Sequence, residues 1–327
     1  MRVLVTGSSG HLGEALVRTL GRLNHGVLGL DLTSSPFTSH VGSIVDRPFV
    51  RQCMKGVDAV LHAATLHKPH LATHSRQDFL DTNVTGTLNL LEEATSAGVS
   101  SFVFTSTTSV FGRALTPSAG APAAWISEDV RPIPRNVYGV TKTAAEDLCE
   151  LFHHNYRLGC LILRTSRFFP EQDDNAATRL AYDDENVKVN EFLYRRVDLE
   201  DVVEAHLLAV EKAPQIGFGR YVLSATTPFH PDDLFALRKH APEVVRRRIP
   251  DYEVEYARRG WKMFPSIERV YVNERARREL GWHPRYDFRH VLNLLRSGKD
   301  FRSPLARVVG SKGYHAFRFP DGRYPVS

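Results

Sequence analysis

The 327 residues, 42% hydrophobic and 24% charged, have the balance of a globular chain with one large domain or two unequal ones, and no run of 18 apolar residues that would cross a membrane. Met1 and Arg2 lead directly into apolar Val3-Leu4-Val5, unlike a secretory leader. Cys53, Cys149 and Cys160 are odd in number and form no CxxC pair, which argues against a disulfide framework or a metal site and suits a reducing cytoplasm. The net charge of +5 lies after residue 150, densest at Arg246-Arg247-Arg248 and Arg258-Arg259; with no aromatic-interleaved basic stripe, no nucleic acid is expected, and the charge reads as a solvated face or a field drawing in an anionic small substrate.

Arg2-Val3-Leu4-Val5-Thr6 predicts a strand, and Leu12, Ala15, Leu16 and Leu20 predict a helix over 11–22. Further strands are expected at 26–30, 58–61, 101–104 and 160–163, with helices at about 76–97 and 138–154 between them. Short apolar strands alternating with amphipathic helices give an α/β fold, a Rossmann-type doubly wound parallel sheet. Beyond Arg164 the pattern loosens. Residues 170–190 read as polar and irregular; a helix near 199–212, a strand at 220–224 and a helix near 232–240 follow. The stretch 241–266 is rich in Pro and Arg, helices are expected at 273–280 and 287–296, and the tail from Gly298 reads as loop. The expected division is a dinucleotide-binding domain over 1–165, to which segments near 196–225 return, and a smaller substrate-binding region with the tail over 166–327.

Gly7-Ser8-Ser9-Gly10-His11-Leu12-Gly13 is GxxGxxG set between the first strand and the first helix. Glycine lets the backbone approach a pyrophosphate, and the helix N-terminus supplies free N–H groups and a positive dipole end. Gly7, Ser9, Gly10, His11, Leu12 and Gly13 are therefore candidate cofactor contacts. Asp31 ends the second strand 18 residues past Gly13, where a carboxylate accepts from adenosine ribose hydroxyls. It would repel a 2′-phosphate and no Lys or Arg follows in Leu32-Thr33-Ser34-Ser35, so NAD is expected rather than NADP.

Tyr138-Gly139-Val140-Thr141-Lys142 places a phenol and an ammonium on one helix face. An ammonium nearby lowers a phenol pKa, and such a phenol can exchange a proton with a substrate hydroxyl while hydride moves to or from nicotinamide. The fourth strand runs into Thr105-Ser106-Thr107-Thr108-Ser109-Val110-Phe111-Gly112, whose hydroxyls fall at the end of a parallel strand where ligands bind.

Together with His62-Ala63-Ala64, Asn83 in Asn-Val-Thr-Gly-Thr, 196–206 and Ala276–Trp282, these motifs resemble the extended short-chain dehydrogenases/reductases, more narrowly the NAD-dependent epimerase/dehydratase family with its nucleotide-sugar 4-epimerases. The resemblance implies a Tyr138 acid/base, a Lys142 that also orients the nicotinamide ribose, a catalytic hydroxyl at Thr107, cofactor contacts at Ala63 and Ala64, and structural roles for His62 and Asn83. It also implies a homodimer formed by the helices at 76–97 and 138–154, which carry Leu80, Val84, Leu88, Leu91, Ala144, Ala145, Leu148, Leu151 and Phe152. The implied substrate is a sugar-type small molecule, epimerised through a keto intermediate or, alternatively, dehydrogenated.

The chain also departs from the family pattern. Thr108 and Ser109 stand where the family's dehydratases carry Asp-Glu, so dehydration is not expected, and Thr108 becomes a substrate contact. Arg167 occupies the place of a diphosphate-contacting Asn. The later phosphate-binding Arg falls on Phe192, with Arg195 and Arg196 nearby, and Arg-Pro-Gly-Asp becomes Arg258-Arg259-Gly260-Trp261. Phe169-Pro170-Glu171 resembles uronate dehydrogenases, in which a downstream Arg holds the carboxylate; Arg179 is the candidate equivalent. Arg167, Arg179 and Arg259 are thus the expected anchors for an anionic substrate.

Overall fold

The computed structural model describes residues 1–313. In chain order it runs β1 (Arg2–Thr6), α1 (His11–Arg22), β2 (Gly26–Asp31), β3 (His40–Val41), α2 (Arg47–Cys53), β4 (Ala59–His62), α3 (Arg76–Leu80), α4 (Gly86–Ser96), β5 (Ser101–Thr107), β6 (Ala124–Ile126), α5 (Val137–Tyr156) and β7 (Gly159–Thr165). Then come α6 (Ala176–Ala181), α7 (Asp184–Glu191), α8 (Leu199–Ile216), β8 (Phe218–Leu223), α9 (Leu234–Arg248), α10 (Tyr252–Arg259), β9 (Arg269–Tyr271), α11 (Glu274–Leu280), α12 (Phe288–Arg296) and α13 (Pro304–Val309).

Seven strands form one parallel sheet in the order β3-β2-β1-β4-β5-β7-β8. Each of β4 and β7 is buried along its whole length, as parallel strands covered on both faces must be. Alternation then divides the side chains. Val3, Val5, Leu161 and Leu163 pack with α1 and α8 on one face; Leu4, Val60, Phe102 and Ile162 pack with α4 and α5 on the other. The strand order reverses between β1 and β4, and the glycine turn after β1 opens at that switch point, where such sheets bind ligands.

A second core gathers Phe192, Leu193, Leu237, Val244, Tyr256, Val270, Phe288 and Leu292. Beside it β6 and β9 form a two-stranded parallel sheet joining Ala124 to Arg269. These strands, like β3, are too short for alternation to announce them.

Other elements differ from the sequence expectation. The single helix over 76–97 is broken by a π turn at Asp81–Thr85. Residues 170–190 are not irregular: α6 and α7 lie there, and Asn186, Lys188, Asn190 and Glu191 are buried, so polar side chains hid the helical stripe. The helix at 232–240 continues past a kink at His240 and through Pro242 to Arg248, and α10 follows. The tail from Gly298 contains α13, capped by Ser303 Oγ accepting from Ala306 N, with Pro304 in the first turn; residues 314–327 of that expectation lie outside the described residues. Among the described residues no helix is long and apolar enough to cross a membrane, and no group of three His, Cys, Asp or Glu is placed to hold a metal ion.

Candidate active site

A cleft of about 1170 Å³ runs along the C-terminal ends of the strands. That exceeds the roughly 300–1,000 Å³ typical of a single small-molecule pocket, so two ligands can lie in it together.

The glycine turn forms one end. Gly7 has φ +72°, and a Cβ there would sit 2.8 Å from Ala64 N; a Cβ on Gly13 would sit 1.9 Å from Gly7 O. Side chains at either position would push the turn off β4 or off α1, so the cradle demands glycine. Asp31 holds the rim: its two carboxylate oxygens accept from Ser9 N at 3.0 Å and Thr33 N at 2.9 Å, leaving lone pairs for ribose hydroxyls. His11 Nδ1 lies 2.8 Å from Gly310 O, and because a carbonyl only accepts, the proton is on Nδ1. The His11 ring stacks on Phe168 at 5.9 Å. Its pKa is lowered by burial, with the Glu171 carboxylate acting the other way. The segment after α13 lies along this rim, where Lys312 pairs with Glu14 and Ser311 Oγ donates to Glu171 at 2.5 Å.

Behind the turn runs a buried hydrogen-bond chain. Thr87 Oγ1 donates to Asn83 O at 2.7 Å, so the 2.9 Å contact with His62 Nε2 must carry the imidazole's proton. His62 Nδ1 then accepts from Thr6 Oγ1 at 2.8 Å, and Thr6 Oγ1 accepts from Ala64 N at 3.1 Å. Burial, with Lys142 as a lesser cause, holds the His62 pKa well below its ordinary value, so the ring is neutral and structural. Asn83 binds both Leu66 N and Leu66 O and donates to Thr141 Oγ1 at 3.1 Å, fixing the cleft wall to α5.

At the centre, β5 delivers Thr107 and α5 delivers Tyr138. The Thr107 hydroxyl accepts from Ser109 N at 3.1 Å and lines the cleft together with Tyr138. Burial pushes the phenol up to about 12, with the Thr107 hydroxyl acting the other way. Lys142 differs from expectation. Its Nζ donates to Thr105 O at 2.7 Å and lies 3.8 Å from the centre of the Phe104 ring, and it does not line the cleft. Burial pulls its pKa down to about 7, with Glu146 opposing. A buried ammonium takes the acceptor within reach, here a strand carbonyl, and so it does not lower the phenol pKa in this arrangement. Glu146, one turn further along α5, accepts from Ser106 Oγ at 2.5 Å and pairs with Arg164 at 2.7 Å, tying α5 to the ends of β5 and β7.

The other end is an ionic network. Glu191, fully buried, receives Arg167, Arg195 and Arg196 at 2.9, 2.6 and 2.7 Å. Burial opposes ionisation, but these three guanidiniums outweigh it and hold the carboxyl far below its usual range. Arg167 also binds Asp173 at 2.5 Å and Asp174 at 3.3 Å, and Lys68 binds Asp174 at 2.7 Å.

Of the residues predicted from sequence, the structure brings Gly7, Ser9, Gly10, His11, Leu12, Gly13, Asp31, Ala63, Ala64, Thr107, Thr108, Tyr138 and Arg167 to one cleft. It does not bring Arg179 or Arg259 there. Arg179 donates to Asp173 O at 2.7 Å from the short helix α6. Arg259 is drawn to Glu255 at 2.5 Å and to Leu295 O at 2.9 Å, against Trp261, in the second core's helices. Sequence reasoning noted Arg195 only as lying near the family's phosphate-binding position, and missed Glu146, Lys68, His67, Asp173, Arg269 and Tyr271. Of the missed residues, Glu146 carried a signal, its four-residue spacing from Lys142 on the same helix.

A parallel sheet with a glycine cradle at its switch point, an acid at the end of β2 and a Tyr/Thr pair on the cleft wall defines a dinucleotide-dependent enzyme of the short-chain dehydrogenase/reductase type. The chain belongs to the NAD dependent epimerase/dehydratase family, whose pattern it matches over residues 3–223, and its cofactor is NAD. It is 27% identical over 320 residues to a UDP-glucose 4-epimerase of Streptomyces lividans, covering 86% of this chain and 91% of that one. It is 26% identical over 196 residues to a uronate dehydrogenase of Pseudomonas syringae pv. tomato, covering 56% of this chain and 66% of the relative. Relatives of higher identity match over only 36% and 47% of their own length. Among solved structures, a short-chain dehydrogenase/reductase superfamily protein from Agrobacterium tumefaciens with bound NAD superposes with a TM-score of 0.64 at 24% identity, covering 94% of this chain and 99% of that one.

Proposed function

We propose that the chain oxidises and re-reduces a secondary hydroxyl of a sugar-type, anionic substrate, and that its net reaction is 4-epimerisation of a nucleotide sugar through a keto intermediate. The observation that carries this reading is the meeting of the Tyr138 phenol and the Thr107 hydroxyl in one cleft with the glycine cradle. NAD supplies the hydride acceptor and, on return, the donor. Thr107 orients the reacting hydroxyl, and Tyr138 Oη takes its proton and gives it back. Lys142 supplies the positive charge that draws the phenol toward neutrality and holds the nicotinamide ribose; both roles require Nζ to leave the Thr105 carbonyl. Asp31 selects NAD over NADP. Residues 1–165 with the segments near 196–225 hold the cofactor, and the remainder of 166–327 holds substrate.

Similarity over nearly the whole length of an epimerase supports epimerisation. A second reading, net dehydrogenation of a sugar, uronate or other small alcohol, is favoured by one observation: Arg167, standing where nucleotide-sugar members carry Asn, is already engaged by three carboxylates. We further assign a cytoplasmic homodimer with no nucleic-acid or membrane partner. Leu80, Val140 and Leu151 are exposed on α3 and α5, the helices that pairing would bring together.

The test is a screen of UDP-, dTDP- and GDP-sugars and free uronates with NAD, read by NADH absorbance and by NMR. Epimer without accumulated NADH supports the leading reading, and stoichiometric NADH the second. Neither product from any substrate would sink both.

A further inference from the structure

Arg269 is a cleft-lining cation that the catalytic scheme does not use. It opens β9, and alternation along that strand sends Arg269 and Tyr271 to the cleft while Val270 is buried in the second core. Its cleft-lining neighbours Lys68, Arg167 and Arg195 each carry carboxylates. Arg269 carries none: among the described residues its guanidinium has no ion pair, and its Nε is buried with no hydrogen-bond partner. Arg195 Nε is likewise buried and unpartnered, although its outer nitrogen binds Asp173 and Glu191. Buried donors without acceptors are destabilising and uncommon in folded proteins. The local charge points the same way. Asp173, Asp174 and Glu191 face Lys68, Arg167, Arg195 and Arg196, so the network is positive by one before Arg269 is added.

We propose that Arg269, beside the carboxylate-paired Arg167–Arg195 network, is the anchor for an oxyanion of the substrate, a carboxylate or a phosphate. A planar guanidinium with unused donors binds either group through paired hydrogen bonds. The network supplies shape: with Arg167 and Arg195 spent on Asp173 and Glu191, Arg269 and the Nε of Arg195 keep donors without a partner among the described residues. This deepens the proposed function, since it names the feature by which the substrate is chosen, and its test does not depend on turnover.

The experiment is calorimetric titration of the full chain loaded with NAD, using inorganic phosphate, glucuronate, UDP-glucose and neutral glucose as probes. The parent protein is compared with Arg269→Gln, Arg269→Lys and Tyr138→Phe. At least one anionic probe should bind more tightly than glucose. Arg269→Gln should weaken that probe roughly 10- to 100-fold, as expected for a lost charged hydrogen-bond pair, while leaving glucose and NAD unchanged. Arg269→Lys should restore part of the loss, because charge returns without the planar fork. Loss confined to glucuronate identifies a carboxylate site, and loss shared by phosphate and UDP-glucose a phosphate site. Tyr138→Phe should bind every probe as the parent does; if it does so and the parent protein itself turns over no substrate, the enzymatic reading falls and the anchor stands. The anchor is overturned if no anionic probe outbinds glucose, or if Arg269→Gln binds the anions as tightly as the parent while still binding NAD.

Discussion

The two ends of the cleft are built from different materials. At the cofactor end, function rests on backbone and packing: a glycine whose added Cβ would strike Gly7 O at 1.9 Å, a strand order that reverses, and a neutral His62 threaded between threonines. At the end proposed for substrate it rests on charge, with one buried glutamate holding three arginines. The first kind of construction tolerates almost no change, because any side chain in the turn collides with main chain. The second can be rewritten by moving an arginine from one element to another, since a guanidinium reaches far and needs only a carboxylate to settle it.

The comparison can be broken at its centre. Tyr138→Phe removes the transferable proton and keeps the ring; steady-state turnover should fall by roughly 10²–10⁴-fold while NAD affinity, measured in parallel, hardly moves. Near-normal turnover would dissolve the catalytic assignment. The substrate end is next. Glu191→Gln leaves Arg167, Arg195 and Arg196 without their shared charge, and stability should drop by about 3 kcal/mol in urea unfolding, with NAD still bound by the protein that remains folded. An unchanged midpoint would mean that the network is ornamental.

A smaller effect is expected from Lys142, whose pKa near 7 lies below the roughly 10.4 of an unfolded lysine. Between those values the unfolded chain binds the extra proton, so stability rises as pH climbs through that window, and the penalty of burying the ammonium is complete below it. Lys142→Met should therefore be inactive yet more stable than the parent by roughly 1–2 kcal/mol at pH 6. The advantage should shrink toward pH 10 in a series of thermal melts. A variant less stable than the parent at pH 6 would show that the ammonium is comfortable where it sits. Smallest of all, Asp31→Ala should weaken NAD about tenfold and narrow its margin over NADP, as read by fluorescence titration. A parent protein that prefers NADP would reverse the assignment.

Much of the cofactor end was legible in the sequence because its signals are local: a glycine triplet between a strand and a helix, an acid at a strand end, a Tyr and a Lys four apart. What the sequence could not carry was orientation. Lys142 lies on the expected helix, yet its ammonium turns to the Thr105 carbonyl, a choice made by tertiary packing around Phe104. At the substrate end even the elements were hidden. Helix α7 buries Asn186, Lys188, Asn190 and Glu191, so its inward face reads as polar and the stretch resembled a loop. Arg179 and Arg259 were expected as anchors and Arg269 was not considered, and nothing in their spacing told which would find a protein carboxylate or carbonyl first.

The small sheet has a consequence for how the chain folds. It pairs Ala124 with Arg269, 145 residues apart, whereas β1 pairs with β2 across a single helical turn-around. Closing the longer loop costs more entropy, and contacts of high sequence separation slow folding. We therefore expect assembly in two stages, with the nucleotide cradle formed before β9 docks and carries Arg269 into the cleft. In that order NAD can stabilise the first stage while the pocket for its reaction partner is still open. Pulse-labelled hydrogen exchange during refolding should show the Val5 amide protected ahead of that of Val270; simultaneous protection would mean that the two ends of the cleft fold as one unit.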